Sequence, residues 1–243
     1  GYAEQVVASA DMTFPIPDRM PYVDAAGFPV TYGTSFHGLV DRAGLREGET
    51  LLVLGASGGV GLTAVEIGKA LGARVIAAAS SPEKRQLCLD RGADAVIDYS
   101  GDDLRERLAE LAPGGVDVVY DPVGGEHAQT AVRALAWGGR YLTVGYASGD
   151  IPKVGLNRLL VCGGSLLGVL WGAWARRNPQ KNALNMAQLF HWYEEGQLRP
   201  HVHEVHPLAA APRALEIVMG RRALGKVILT ATEPANDEHE RNI

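Results

Sequence analysis

Short apolar runs alternate with amphipathic segments along most of the chain, a pattern typical of buried parallel strands joined by helices. The clearest run, Leu51 to Leu54, leads into a glycine-rich turn and then a helix-like segment. Further strands are predicted at 74–79, 95–98, 116–120, 140–144 and 166–170, with helices starting near 82, 102 and 126. Six strands with helical crossovers predict an α/β fold, a doubly wound parallel sheet in the order 3-2-1-4-5-6.

The two ends of the chain follow a different pattern. Residues 1–30 are strand- and turn-like and contain four prolines. After an amphipathic helix over 178–196, a strand at 201–205, a helix near 212–219 and a strand at 226–229 predict a β-α-β unit outside the sheet. We therefore expect a sheet domain over 31–196, a second domain built from 1–30 and 197–234, and a flexible tail at 235–243.

One apolar segment raises the question of a membrane span. The run from Leu159 to Ala175 carries no charge and has Gly164, Gly168 and Gly172 at the four-residue spacing of packed spanning helices. It is slightly shorter than the roughly 20 residues that a span needs. Because buried strands are also continuously apolar, we expect a core strand here and no membrane partner.

Composition narrows the class of protein. The 243 residues are 47% hydrophobic and 21% charged, as in ordinary globular proteins. The net charge of -5 argues against nucleic acid as a partner. Cys88 and Cys162 form neither a metal-binding nor a disulfide pattern, which favours a reducing, cytoplasmic location.

The glycine-rich turn carries the most specific chemistry. Gly55, Gly58 and Gly61 lie between a strand and a helix, where backbone N–H groups and the helix dipole suit a pyrophosphate. The next strand ends without the acidic residue that binds the ribose 2′-OH of NAD. Ser80 and Lys84 follow it instead, and these favour the 2′-phosphate of NADP(H). A solvated helix face remains the alternative for Lys84.

Four segments, 53–61, 80–84, 121–125 and 225–229, resemble the zinc-independent quinone oxidoreductases of the medium-chain dehydrogenase/reductase superfamily. The resemblance covers nearly the whole chain. It implies a six-stranded Rossmann domain joined to a β-rich catalytic domain similar to chaperonin-10. Because that catalytic domain mostly precedes the nucleotide-binding half in the family, only remnants are expected here, with strands near 1–15 and the C-terminal return.

The resemblance also implies NADPH as the cofactor and assigns residues to it. Thr34 would orient the nicotinamide, although a helix cap is an equally good interpretation of this threonine. The family pairs as a homodimer through the sixth strand, which would cover an apolar sheet edge. The implied cofactor-binding residues are Thr34, Ser57, Gly58, Gly59, Val60, Gly61, Ser80, Lys84, Tyr99, Val123, Val144, Gly145, Val169 and Leu170.

Other chemistries fit the sequence poorly. Two distant cysteines cannot build the ligand set of a zinc dehydrogenase. His201, His203 and His206 invite a metal site, but solvent-facing strand histidines are the simpler interpretation. His37 is either an acid near the nicotinamide or a histidine packed between helices. We expect no metal.

The predicted function is hydride transfer from NADPH to a quinone or an α,β-unsaturated carbonyl compound, as in quinone reductases and enoyl reductases. Small-molecule acceptors of this kind can take their proton from solvent, and no single catalytic acid is visible. The alternative is a catalytically silent NADP(H)-binding protein or fragment without a complete substrate pocket.

Overall fold

A computed structural model describes residues 2–231 of the chain, and strands and helices alternate through most of it. The strands are β1 (Thr50–Leu54), β2 (Arg74–Ala78), β3 (Ala95–Ile97), β4 (Val116–Asp121), β5 (Leu135–Thr143), β6 (Ser165–Gly168), β7 (Val202–Pro207) and β8 (Lys226–Thr230). The α-helices are α1 (Tyr22–Phe36), α2 (Gly59–Ala70), α3 (Pro82–Asp90), α4 (Leu104–Leu111), α5 (His127–Arg133), α6 (Leu156–Cys162), α7 (Trp171–Arg177), α8 (Pro179–Glu194) and α9 (Ala211–Met219).

Strands β1 to β6 form one parallel sheet in the order β3-β2-β1-β4-β5-β6. This confirms the predicted α/β class and strand order. Successive residues of β1 point to opposite faces, so Leu51 and Val53 enter one hydrophobic cluster while Leu52 and Leu54 enter the other. Helices cover both faces, which explains why Leu51–Leu54 of β1 and Val75–Ala78 of β2 are apolar in succession and do not alternate with polar residues.

The strand order reverses between β1 and β4, because the chain builds outward to β3 and then returns to the other side of β1. At such a reversal the loops after two neighbouring strands turn in opposite directions and leave a crevice at the carboxyl edge. The glycine turn after β1 and the loop after β4 therefore border the same crevice.

The first thirty residues differ from the prediction. Within residues 2–21 the structure contains no strand, only a 3₁₀ turn at Ala10–Met12, and α1 then crosses the predicted domain boundary at 30/31. Phe28, Tyr32 and Phe36 recur every four residues and bury one face of α1. This packing outweighs the unfavourable effect of Pro29 inside the helix. The division into domains stays a prediction.

The apolar run 159–175 does hold the predicted sixth strand, which is shorter than predicted and is not buried. It contains the end of α6, the short strand β6 and the start of α7, and β6 lies at the edge of the sheet with its side chains partly exposed. A continuous apolar run has no periodicity from which these elements could be separated. In the described range, no helix has the length and hydropathy that a membrane crossing needs.

The C-terminal region forms the predicted β-α-β unit. Strands β7 and β8 pair in parallel as a separate two-stranded sheet, with α9 between them in the chain. As β8 begins, the Gly225 N–H donates a hydrogen bond to the Ser57 carbonyl at 2.9 Å. The unit is therefore attached directly to the glycine turn. The predicted flexible tail, 235–243, lies outside the described residues.

Candidate functional site

The glycine turn after β1 has the close backbone packing that its sequence predicts. Gly55 has a φ of +58°, which favours glycine. A Cβ at Gly61 would lie 2.8 Å from the Ala56 Cα and would overlap the Gly55 carbonyl oxygen. Only glycine at 61 therefore lets α2 begin this close to the end of β1.

Helix α2 presents its N-terminus at the carboxyl edge of the sheet. Gly58 is the N-cap, and its carbonyl accepts the first helical hydrogen bond from the Leu62 N–H at 2.8 Å. The N–H groups of Gly59, Val60 and Gly61 precede that bond, so they have no acceptor within the helix. Together with the helix dipole, they form a site suited to an anion.

Lys226 lies beside this helix terminus, although sequence reasoning did not select it. A Cβ placed on Gly59 would be 3.0 Å from the Lys226 Cδ, so the lysine side chain crosses the start of α2. No ion pair joins Lys226 to a carboxylate among residues 2–231. Its charge is thus available to the same anion as the helix N–H groups.

A second polar group gathers Ser80, Lys84 and Tyr99, the three residues predicted to surround a 2′-phosphate. The Lys84 ammonium lies 3.5 Å from the Ser80 hydroxyl, and Tyr99 shares a hydrogen bond with that same hydroxyl. Burial raises the pKa of Tyr99, so its hydroxyl stays protonated. Lys84 also donates to the Arg221 carbonyl at 2.9 Å.

Arg221 is a further member of this group that sequence reasoning missed. Its φ of +56° makes it the one non-glycine residue with positive φ in the described chain. Its guanidinium donates to the Ser148 carbonyl at 3.3 Å, and its charge also acts on Tyr99. The adjacent arginines 221 and 222, four residues before Gly225-Lys226, were the available sequence signal.

The residues predicted to face the nicotinamide follow β4, β5 and β6. Val123 packs against Gly55, since a Cβ built on Gly55 would lie only 2.6 Å from the Val123 Cγ2. The Val144 N–H donates to the Asp121 carbonyl at 2.9 Å, and the Gly145 N–H to the same oxygen at 3.4 Å. Val169 is buried and Leu170 is mostly exposed. These segments share the carboxyl edge with the glycine turn.

Thr34 lies inside α1 and donates to the Val30 carbonyl at 2.6 Å, so it is not a helix cap. Its neighbour Gly33 packs directly on the Trp171 ring, where α7 begins after β6. Thr34 is half-exposed next to this contact. The structure therefore places it near the turn that carries Val169 and Leu170.

A buried polar network supports α2 from the other side. The Tyr32 hydroxyl donates to Glu66 Oε2 at 2.5 Å, and Arg91 Nη1 donates to Glu66 Oε1 at 3.1 Å. Arg91 also lies 3.0 Å from His201 Nδ1, at the start of β7. Burial raises the pKa of Glu66 to about 6, against the lowering effect of Tyr32 and Arg91. Burial and Arg91 lower the pKa of His201.

The three C-terminal histidines are not solvent-facing, contrary to the simpler interpretation. They are half-buried: His201 contacts Arg91, while His203 and His206 lie near Glu204, at 3.6 and 2.9 Å. Over the range that the structure describes, no three His, Cys, Asp or Glu residues are grouped so as to hold a metal.

His37 is packed rather than open to a crevice. It is 3% exposed, stacks on Trp174 with ring centroids 4.2 Å apart, and its Nδ1 lies 2.9 Å from Asp41 Oδ2. Asp41 also accepts hydrogen bonds from Lys181 and Asn185. Of the two interpretations of His37, the geometry favours the histidine packed between helices.

The fold and the strand-end site together define a dinucleotide-binding α/β protein, and comparison with known proteins places it further. The sequence model of the family described as zinc-binding dehydrogenase matches residues 59–188. Quinone oxidoreductase-like protein 2 of Bos taurus is 37% identical over 232 residues, 95% of this chain and 66% of the relative. The quinone oxidoreductase of Pseudomonas aeruginosa is 35% identical over 94% of this chain and 70% of its own length.

Solved structures with the same fold as this chain include quinone oxidoreductases and complexes with NADPH. A mycobacterial protein in complex with NADPH superposes with a TM-score of 0.88 and 32% identity, covering 96% of this chain and 71% of that protein. The quinone oxidoreductase of Thermus thermophilus, also solved with NADPH, gives 0.81 and 34% over 94% and 73%. The chain spans about two thirds of the length of the first curated relatives. It belongs to the zinc-binding dehydrogenase family, among the quinone oxidoreductases of the medium-chain dehydrogenase/reductase superfamily.

Proposed function

We propose that the chain forms the NADPH-binding part of an oxidoreductase that reduces a quinone or an α,β-unsaturated carbonyl compound without zinc. The observation that carries the proposal is the convergence of Ser80, Lys84, Tyr99 and Arg221 beside the glycine turn. Two cations and two hydroxyl groups suit a 2′-phosphate. Relatives of this fold that were solved with NADPH give independent support.

The residues present fit the cofactor at both of its phosphate positions. The N–H groups of Gly59 to Gly61 and the Lys226 ammonium would hold the pyrophosphate. Lys84 and Arg221 would hold the 2′-phosphate, with Lys84 exchanging its present carbonyl partner for a phosphate oxygen. Bound NADPH would supply the hydride from its nicotinamide ring.

The chain's contribution to the reaction is orientation and exclusion of water. Val123, Val144, Gly145 and Val169 form an apolar border at the ends of β4 to β6, where the nicotinamide would lie. Thr34 would orient the ring from α1. An electron-poor acceptor held against this border would accept a hydride and take its proton from solvent.

Zinc independence is part of the proposal. Burial raises the pKa of the Cys88 thiol to about 12, so this cysteine stays protonated, whereas a zinc ligand must be a thiolate. Cys162 lies on α6, in a different element from Cys88 on α3. Both cysteines are free, which supports a reducing, cytoplasmic location.

We also propose a homodimer that pairs the β6 strands of two copies. Strand β6 is the last in the sheet order, so one side of its backbone lacks a neighbouring strand among the described residues. Leu166 is 44% exposed on this strand and Leu170 is 73% exposed just after it. Pairing would cover an apolar edge that is otherwise open to aggregation.

The test is titration with NADPH followed by fluorescence, and then addition of 1,4-benzoquinone while absorbance at the NADPH band is recorded. Saturable binding followed by oxidation supports the reductase. Binding without oxidation supports the alternative, a silent NADP(H)-binding protein. Absence of binding contradicts both.

Cofactor choice is tested with Lys84→Ala. Loss of one charge-assisted contact of about 1.5–3 kcal/mol should weaken NADPH binding at least tenfold and leave NADH nearly unchanged. The matched control is Lys153→Ala, since Lys153 is exposed and lies in the connection between β5 and α6. Equal losses for NADPH and NADH would contradict a 2′-phosphate at Lys84.

A further inference from the structure

A buried carboxylate stands where β4 ends. Asp121 is 1% exposed. Its Oδ1 accepts hydrogen bonds from the N–H groups of Val123 at 2.7 Å and Gly124 at 2.8 Å, while its Oδ2 accepts one from the Tyr141 hydroxyl on β5. Within residues 2–231 no lysine or arginine forms an ion pair with it. Three hydrogen-bond donors, rather than a cation, hold this buried group.

The side chain shapes the loop that follows it. Gly124 and Gly125 have φ values of +69° and +70°, and the Ser148 N–H donates to the Val123 carbonyl at 2.9 Å. The loop therefore turns back sharply and brings the Val123 methyl groups onto Gly55. The backbone carbonyl of Asp121 accepts the Val144 N–H as well. One residue thus fixes the loops after both β4 and β5.

Only a group that accepts at both oxygens satisfies all these donors. An asparagine would direct its amide N–H₂ at either the two backbone N–H groups or the Tyr141 hydroxyl. Burial and the nearby Asp121 raise the pKa of Tyr141, so this hydroxyl keeps its proton and remains a donor. An oxygen or donor left unpaired at this buried position would be costly, so the three hydrogen bonds depend on one another.

We infer that Asp121, anchored by Tyr141, is a positioning residue for the nicotinamide half of the cofactor. This rests on the proposed function, in which Val123, Val144 and Gly145 border the nicotinamide. The adenosine half is held elsewhere, by Ser80, Lys84 and Arg221. Loosening the two loops should therefore affect the two halves of the cofactor unequally, and it should slow hydride transfer because that step depends on alignment.

The experiment compares NADPH with 2′,5′-ADP, which carries the 2′-phosphate but no nicotinamide, on the full chain and on Asp121→Asn. We expect NADPH affinity to fall about five- to tenfold, 2′,5′-ADP affinity to change less than twofold, and kcat with 1,4-benzoquinone to fall at least tenfold. The matched control is Asp117→Asn on the same strand, whose carboxylate accepts the Thr50 N–H at 2.8 Å. It should leave the ratio of the two affinities unchanged.

Equal weakening of both ligands, or no change in either, overturns the inference. If Asp121→Asn does not fold, Tyr141→Phe is measured instead, because it removes one donor and keeps both hydrogen bonds from the loop N–H groups. A selective loss of NADPH affinity in this variant supports the inference. An unchanged ratio of NADPH affinity to 2′,5′-ADP affinity refutes it. If the unaltered chain binds neither nucleotide, the proposed function itself fails. If the unaltered chain binds both nucleotides and the ratio of the two affinities is unchanged in the variants, the inference about Asp121 fails while the proposed function stands.

Discussion

Replacing Gly61 with alanine tests whether the glycine turn is as tightly packed as the structure shows. The added Cβ would lie 2.8 Å from the Ala56 Cα and 2.9 Å from the Gly55 carbonyl carbon. Ordinary contacts begin near 3.4 Å, so the turn or the helix must move by more than half an ångström. Both opposing atoms are backbone, and no flexible side chain can yield instead.

Two opposing effects set the change in the free energy of unfolding that Gly61→Ala should cause. Overpacking of this kind costs about 1–3 kcal/mol. Alanine returns at most about 1 kcal/mol through its higher helix propensity, and less than that in a first turn. We therefore expect a net loss of about 1–2 kcal/mol in the free energy of unfolding, or a Tm about 2–8 °C lower for a chain of this size. The displaced N–H groups should also weaken NADPH binding more than tenfold.

Thermal unfolding followed by circular dichroism gives the first quantity, and fluorescence titration with NADPH gives the second. Gly114→Ala is the control, because no atom lies within 4 Å of its added Cβ and its φ is not positive. A Gly61→Ala protein with unchanged Tm and NADPH affinity would refute the packing argument. So would a Gly114→Ala protein that loses as much as Gly61→Ala.

Three other predictions concern pH, strain and assembly. Because burial raises the pKa of Glu66 from 4.5 to about 6, the folded state holds a proton between these pH values that the unfolded chain releases. The contribution of Glu66 to the free energy of unfolding should therefore fall by up to about 2 kcal/mol between pH 4.5 and 6.5. In urea titrations, the free energy of unfolding of Glu66→Gln should change less with pH than that of the unaltered chain. Arg221→Gly relieves a positive φ that costs about 1 kcal/mol, so Tm should rise while NADPH affinity falls, and unchanged affinity would remove Arg221 from the site. Leu166→Lys places a charge on the edge strand β6, so light scattering after size exclusion should show monomers. The control Leu184→Lys changes an exposed leucine on α8 and should remain a dimer. Dimers of both variants would contradict pairing through β6.

The sequence was most informative where local pattern and general topology agree. Apolar runs, a glycine turn and the right-handed crossover were sufficient for the class and order of the six-stranded sheet. The family resemblance added Tyr99 to Ser80 and Lys84, and the three do meet, because these residues follow β2, begin α3 and follow β3, at one edge of the sheet. The individual cofactor contacts, including Thr34, stay predictions.

Local pattern failed where packing decides the outcome. Helix α1 was missed because Pro29 and its glycines suggest turns, whereas Phe28 and its apolar neighbours stabilise the helix only once α2 and α8 lie against it. Lys226 belongs to the segment 225–229 that carries part of the family resemblance, but neither it nor Arg221 was assigned to the site. Both residues reach the site from the far end of the chain, which local sequence pattern does not reveal. The anchoring role of Asp121 could not be predicted, since its three partners are defined by the path of the loop and not by the spacing of residues.

The hydrogen bond from the Gly225 N–H to the Ser57 carbonyl has a consequence for biosynthesis. A ribosome makes the chain from its N-terminus, so the sheet strands emerge long before Gly225 does. Until then the glycine turn lacks the strand that closes it, and Lys226 is absent from the start of α2. The hydrogen bond between Gly225 and Ser57 can therefore form only after the glycine turn and all six strands of the large sheet have been synthesised. A nascent chain stalled before β8 would carry every glycine of the motif and still bind the dinucleotide poorly.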